Sequence, residues 1–422
     1  MARGEALGGL TAMNRERAGA GAPPHAPWEW NASEWPSGSL TDERVVEEWR
    51  REFPLLERVI HVGICSQGPQ SRWVRQSVEH YLDSWVAVGM DWDYWLGEVG
   101  RAKAEFAKLV GAEPDEVAVS TSLSAAAASV ASALEAFGSR RKIVTTTAEF
   151  TGVAQAWLGH RKYGYTVEHV PARAGELHLE DFDRHIDDKT ILTAVSHVYH
   201  SSGFKLDLAP LVKLAHERGS LVMVDAYQSA GTMPIDVKAL GVDFLASGTL
   251  KFLLGMPGMA FIYVARELIP RLDPAVVGWF GQEDPFECFV DRLDYARGAR
   301  RLETGTPPVM AAFAARAGMQ IINHVGPAAI AKRIELLSRV ATEEARRHGL
   351  KVASPADVRK KGSITAIEVP EGGVHGLVTE LRRRGIITFP CGRYLRVAPH
   401  FFTRPEDIER VMWEVASILG GR

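Results

Sequence analysis

The residues of this sequence with the clearest chemical potential are an aspartate and a lysine 26 positions apart. Asp225 ends an apolar run, residues 221–224, in LVMVDAYQSAG. Lys251 lies between a second apolar run, residues 242–246, and the glycine-punctuated LLGMPG. Short apolar runs bounded by turn signals read as buried parallel strands, and the carboxyl ends of such strands face the ligand crevice in open α/β sheets. A buried amine and a buried carboxylate so placed suit one chemistry. The amine forms a Schiff base with an aldehyde cofactor, and the carboxylate keeps that cofactor's pyridine nitrogen protonated. The pair reads as a site for pyridoxal 5'-phosphate. Either residue alone says less, because an aspartate at a strand end is often a helix cap and a lone lysine often snorkels to solvent. Here Lys251 has Phe244, Leu250, Phe252 and Leu253 near it in sequence and no adjacent acid, a setting that lowers an amine's pKa.

Other groups extend this pattern. Gln228, three residues past Asp225, can donate to the cofactor's phenolic oxygen or serve as an ordinary loop amide. In STSLSAAAAS, Thr121 and Ser122 open an alanine-rich helix whose first amides would face a phosphate, although the same residues are common N-caps. Phe150, in TAEFTG, can stack on a pyridine ring or fill the core. Arg396, in YLRVAPH, sits between apolar residues on an expected strand. A buried guanidinium requires an acid, either a substrate carboxylate or an internal Asp or Glu.

These groups need a scaffold. EVAVS, KIVTTT, TVEHVP, TILTAVSHV, LVMVDA, DFLAS and GMAFIYV are strand candidates that alternate with helical stretches starting near Ser122 and at 152–163, 179–186 and 208–218. Such alternation implies an α/β fold with a mostly parallel sheet and crossover helices. Upstream, helices are expected at 41–53 (capped by Thr41), 71–88 and 92–110, the last stopping at Gly111. After LETGTPP come helices at 309–325 and 328–346, then SITAIEVP, GVHGLVTELRRRG, IITFP, YLRVAP and a final helix at 404–419. The expected organisation is an N-terminal arm at 1–40, a large cofactor-binding domain at 41–305 and a smaller C-terminal α/β domain at 306–422. Residues 41–65 are free to pack on the smaller domain. The Gly, Ala and Pro content of the arm makes it mobile, with Trp28, Trp30 and Trp35 as anchors on the body or on a partner subunit.

The whole chain sets further bounds. Its 422 residues suffice for two domains, and 46% hydrophobic with 24% charged residues is ordinary for a soluble globular protein. A net charge of −3 gives no reason to expect nucleic acid as a partner. No run approaches the ~18–20 apolar residues of a membrane span, and the first 40 residues lack the apolar core of a secretory signal. Cys65, Cys288 and Cys391 are too few and scattered for a disulfide framework or a metal site, which points to a reducing, cytoplasmic setting. Nucleotide binding is disfavoured by the lack of a GxGxxG after the first strand or a GxxxxGK[ST] loop.

With these residues in view, the chain resembles the class V aminotransferase family of fold-type I pyridoxal-phosphate enzymes, which includes cysteine desulfurases, kynureninases and isopenicillin-epimerase-like proteins. The resemblance covers about residues 55–420 and is carried by VDAYQSAG, GTLKFLLGMPG, GWFGQEDPF, RRLETGTPP and YLRVAPHFF. It implies a fold-type I architecture with pyridoxal 5'-phosphate bound to Lys251 as an internal aldimine. By the same resemblance Asp225 faces the pyridinium nitrogen, Gln228 the phenolic oxygen, Thr121 and Ser122 the phosphate, and Phe150 the ring. His200 and Thr249 are further cofactor contacts, and Arg396 holds the substrate carboxylate. It also implies a homodimer with a shared active site, into which Trp279 and Thr306 reach. Two positions depart from the pattern. Leu250 stands where most members carry histidine and kynureninases tyrosine, and Gln228 where kynureninases carry histidine.

The implied substrate is an amino acid that displaces Lys251 into an external aldimine, after which the freed amine acts at Cα–H. The mixture of kynureninase-like motifs with a glutamine ring contact favours β-elimination, a carbon–sulfur lyase type of reaction. Transamination and epimerisation are the alternatives within the family. A desulfurase would use Cys391, only five residues before Arg396 and so on a tight segment, or else Cys65. A binding protein that merely kept the fold is opposed by the presence of Lys251, Asp225 and Arg396 together.

Overall fold

The computed structural model describes residues 32–420, so Trp28 and Trp30 lie outside the described residues. Trp35 is buried against the rings of Trp49 and His324, at 6.2 and 5.0 Å between centroids, and Leu40 is buried as well. The packed chain therefore begins before residue 41. Helix α1 (Glu43–Arg51) starts on Asp42 rather than Thr41. The Asp42 carboxylate accepts the Arg44 amide at 3.0 Å, while the Thr41 hydroxyl is engaged with Ser39. An acid also suits the positive end of a helix better than a hydroxyl does. After strand β1 (Ile60–His61) come α2 (Arg72–Val88), capped by Ser71, and α3 (Trp92–Val110), which ends on Gly111 at φ 72°.

The centre is a seven-stranded sheet of β2 (Val117–Ser120), β3 (Lys142–Thr146), β4 (Thr166–Val170), β5 (Thr190–Ser196), β6 (Leu221–Asp225), β7 (Phe244–Gly248) and β8 (Ala260–Val264). Its order is β2-β8-β7-β6-β5-β3-β4, parallel except that β8 runs antiparallel to both its neighbours. Every residue of β3, β5, β7 and β8 is buried, which requires both faces to be covered and explains why these strands do not alternate apolar with exposed polar residues. Cover includes the helices α4 (Leu123–Ala133), α5 (Thr151–Gly159), α6 (Leu179–His185) and α7 (Leu208–Glu217).

Two long helices follow, α8 (Val309–Val325) and α9 (Pro327–Arg347), and then β9 (Thr365–Glu368), α10 (Val374–Arg383), β10 (Ile386–Ile387), β11 (Phe389–Cys391), β12 (Tyr394–Val397) and α11 (Pro405–Gly420). β11, β12 and β9 form an antiparallel sheet, and β10 pairs in parallel with β1. A stripe along α9 joins two apolar cores: Ile330 and Ile334 enter the larger, while Leu337, Ala341 and Ala345 enter the smaller. The buried pair Arg50–Asp407, at 3.0 Å, fastens α1 to α11. Arg404 also pairs with Asp407, at 2.8 Å, and Glu47 with Arg50, at 3.7 Å, so the contact belongs to a small charge network. Among the described residues no helix is long and apolar enough to cross a membrane.

Candidate active site

The candidate residues follow the carboxyl ends of the strands. Asp225 is the last residue of β6, and Lys251 comes three residues after β7. Phe150 lies beyond β3, His200 beyond β5, and Thr121 and Ser122 beyond β2. This common edge is where an open parallel sheet leaves its binding crevice.

The loop carrying Lys251 is held from several sides. Within it, the Leu254 amide donates to the Lys251 carbonyl at 3.1 Å and the Gly255 amide to Thr249 at 2.9 Å. Thr249 is fully buried and its hydroxyl donates to the Met256 carbonyl at 2.9 Å. From outside, the Gly68 amide donates to the Leu250 carbonyl at 2.8 Å, and the His400 Nε2 lies 3.0 Å from the Phe252 carbonyl. Helix α8 approaches closely enough that a side chain at Gly318 would overlap the Leu253 carbonyl. A backbone fixed in this way points one amine in one direction.

That amine, Lys251 Nζ, lies 4.0 Å from the centre of the Tyr227 ring and 5.6 Å from that of Phe150. Burial pushes it down to about 8, against the charge of Asp225, which favours the ammonium form. Asp225 is buried and accepts the Tyr227 amide at 2.8 Å. Burial raises its carboxyl to about 6, and the Tyr227 amide and Lys251 pull it back. The two groups sense each other's charge, yet no ion pair joins them among the described residues.

Around them are polar atoms with no internal partner. Gln228 donates its Nε2 to the Cys65 carbonyl at 3.0 Å, which leaves Oε1 buried and unbonded. His200 stands edge-on to Phe150 at 5.2 Å with its Nδ1 unbonded, and burial followed by the Arg396 and Lys251 charges pushes it down to about 4. Arg396 is buried and reaches three main-chain carbonyls, of His200 at 3.1 Å, Pro390 at 3.3 Å and Phe389 at 3.4 Å. No carboxylate pairs with it among the described residues. An amine, an acid, aromatic faces and unsatisfied donors and acceptors in one crevice match what pyridoxal phosphate would need from a protein.

Other expected positions lie further out. Ser122 caps α4, its hydroxyl accepting the Ala125 amide at 3.1 Å, and both Thr121 and Ser122 are exposed. Trp279 packs on Phe280, Phe286 and Trp92 at 4.3, 5.7 and 6.3 Å and shares no described contact with the Lys251 cluster. Thr306 is exposed on the adjoining segment, which the Phe280 amide ties down through the Thr304 carbonyl at 3.1 Å. Two neighbours of the site escape sequence reading: Tyr227, inside the quoted VDAYQSAG, and Glu149, beside Phe150.

Known proteins resemble this chain over most of its length. A model of the family described as aminotransferase class-V matches residues 79–392. An uncharacterized aminotransferase of Bacillus subtilis, YcbU, is 38% identical over 89% of this chain and 98% of its own length. A kynureninase of Pseudomonas fluorescens is 28% identical, covering 88% and 91%. The isopenicillin N epimerase of Streptomyces clavuligerus is also 28% identical, covering 89% and 98%. Among solved structures, the apo cysteine desulfurase of Thermococcus onnurineus superimposes with a TM-score of 0.81 at 24% identity, covering 89% of this chain and 98% of that one.

Proposed function

Because this chain belongs to the class V aminotransferase family of pyridoxal-phosphate enzymes, we propose that it cleaves the side chain of an amino acid by β-elimination, with sulfur as the leaving atom. One observation carries the amino-acid part of this reading. The buried Arg396 meets only carbonyl oxygens, close to an amine turned toward two aromatic rings, so a substrate carboxylate would supply the charge the arginine lacks.

Pyridoxal phosphate, when bound, supplies the electron sink for the pair left at Cα. The residues do the rest. Asp225 holds the proton on the ring nitrogen, with Phe150 against the ring face and Gln228, His200 and Thr249 around it. Thr121 and Ser122 receive the phosphate at the start of α4. Arg396 fixes the carboxylate and thereby the direction of the Cα–H bond. Lys251, with its amine near 8, is partly neutral at neutral pH and takes that proton. The carbon–sulfur bond then breaks with its electron pair leaving on sulfur. For a cysteine S-conjugate and one water, the net products are pyruvate, ammonium and a thiol.

Support for a lyase over a desulfurase comes from Cys391. It pairs with Tyr394 in the β11–β12 hairpin, with only Gly392 and Arg393 between them, and burial raises its thiol. A persulfide carrier needs a mobile, ionisable thiol. Transamination is the second reading, favoured by the 38% identical relative, itself named as an uncharacterized aminotransferase. Incubation with cysteine S-conjugates, assayed for pyruvate against other keto acids and D-amino acids, separates the readings. Without pyruvate from any such conjugate, elimination is excluded.

We also place the enzyme in the cytoplasm as a homodimer whose partner contributes Trp279 and Thr306. Trp85, Met90, Val277, Trp279 and Val290 are exposed, and Trp279 meets Trp92, two residues past Met90, at 6.3 Å between ring centroids. Apolar surface of this kind marks an interface.

A further inference from the structure

Glu149 is a buried acid that the mechanism above does not use. It sits in the loop between β3 and α5, next to Phe150. Its Oε1 accepts the Ser196 amide at 3.0 Å and the Thr146 hydroxyl at 3.1 Å, and its Oε2 accepts the Ser196 hydroxyl at 2.6 Å. Ser196 ends β5 and stands in register with Asp225, and the next amide, of His197, donates to the Asp225 carbonyl at 2.9 Å. The groups acting on Glu149 among the described residues are thus Thr146 of β3, Ser196 of β5, Tyr199 beyond β5 and Asp225 of β6, and none of these is a cation. Three donors favour the ionised carboxylate. Burial and the like charge of Asp225 oppose it and raise it to about 7.

Two buried acids side by side are unfavourable when the one cation near them, Lys251, acts on Asp225 and not on Glu149. Their arrangement makes sense if a positive charge enters in front of Asp225. We propose that Glu149 is a positioning residue for the cofactor, tying the Phe150 loop to the strand beside Asp225 and placing a second negative charge behind the acid that faces the ring nitrogen. The inference rests on the reading of Asp225 given above. Ionised Glu149 strengthens the field that holds a proton on the cofactor, and its hydrogen bonds keep Phe150 against the ring.

The test compares wild type, Glu149→Gln and Asp225→Asn, each loaded with pyridoxal phosphate. The readouts are visible absorbance as a function of pH, release of cofactor on dilution, and Tm. Gln has the same shape without the charge. We expect Glu149→Gln to keep a Tm within a few degrees of wild type, to move the midpoint of the visible-band titration down by about half to one pH unit, and to release cofactor several-fold faster. A wild-type midpoint and release rate in Glu149→Gln, with both altered in Asp225→Asn, would reduce Glu149 to a structural hydrogen-bond acceptor and overturn the inference. If Asp225→Asn leaves both unchanged, the reading of Asp225 fails first and the role of Glu149 falls with it. Should Glu149→Gln not fold, Ser196→Ala removes one donor to the carboxylate and must shift the midpoint in the same direction, less far; no shift overturns the proposal.

Discussion

The Lys251 amine stands 4.0 Å from the centre of the Tyr227 ring, and that ring presses on the α-carbon of Gly248, where no Cβ would fit. Tyr227 therefore backs the lysine with an aromatic face braced against the end of β7. A π face favours an ammonium ion by roughly 0.5–2 kcal/mol, in opposition to burial. Tyr227→Phe keeps the face and is expected to hold kcat/KM within about threefold of wild type. Tyr227→Ala frees the amine and is expected to lose about tenfold or more. Steady-state kinetics on the best amino-acid substrate check both.

Arg396 gives a sharper substrate test. Arg396→Lys retains a charge but not the fork, so KM for an amino acid should rise roughly 10- to 100-fold with a smaller change in kcat. The corresponding amine, which has no carboxylate to clamp, should turn over poorly and equally in both proteins. An Arg396→Lys enzyme with wild-type KM would remove the clamp.

Asp225 links function to stability. Its carboxyl is raised from 3.8 to about 6 by burial, so the folded protein binds this proton more tightly than the unfolded chain does. That contribution is complete below about pH 4 and is lost as the pH rises through about 6. Near neutral pH the ionised acid costs the cofactor-free protein on the order of 1–3 kcal/mol. Asp225→Asn should therefore raise the Tm of the cofactor-free protein at pH ~7.5, with the gain vanishing near pH ~4. Thermal scans across that range decide, and the same variant should bind pyridoxal phosphate more weakly.

Asp225 and Lys251 are legible in the sequence because local pattern announces them, each following an apolar run at the edge of a buried sheet. The strand and helix alternation is legible for the same reason, down to the start of a helix near residue 71 and the stop at Gly111. What escapes is whatever depends on a remote partner. Glu149 acquires meaning from Ser196, 47 residues on, and Gln228 from the Cys65 carbonyl, 163 residues back. The cap of α1 escapes for a local reason: Thr41 and Asp42 are both good caps, and the Ser39–Thr41 hydroxyl contact, at 2.8 Å, leaves the role to Asp42. For Arg396 the sequence poses the choice between an internal and an external acid, and only the packed structure shows carbonyls alone around it.

Cys391 separates two branches of the proposed chemistry. If carbon–sulfur cleavage ends in a free thiol, Cys391→Ala should leave the rate of pyruvate formation within about twofold of wild type. Loss of sulfur release from cysteine under reductant in this variant would instead identify a persulfide carrier.

The central claim is that one amine of this chain, on Lys251, bonds to the aldehyde of pyridoxal phosphate. Borohydride reduction of the loaded protein, followed by digestion and peptide mass mapping, measures it directly. The account predicts a single pyridoxyl group on the peptide containing Lys251, lost in Lys251→Ala. Label on another lysine, or a protein that binds the cofactor with nothing for borohydride to trap, would contradict it.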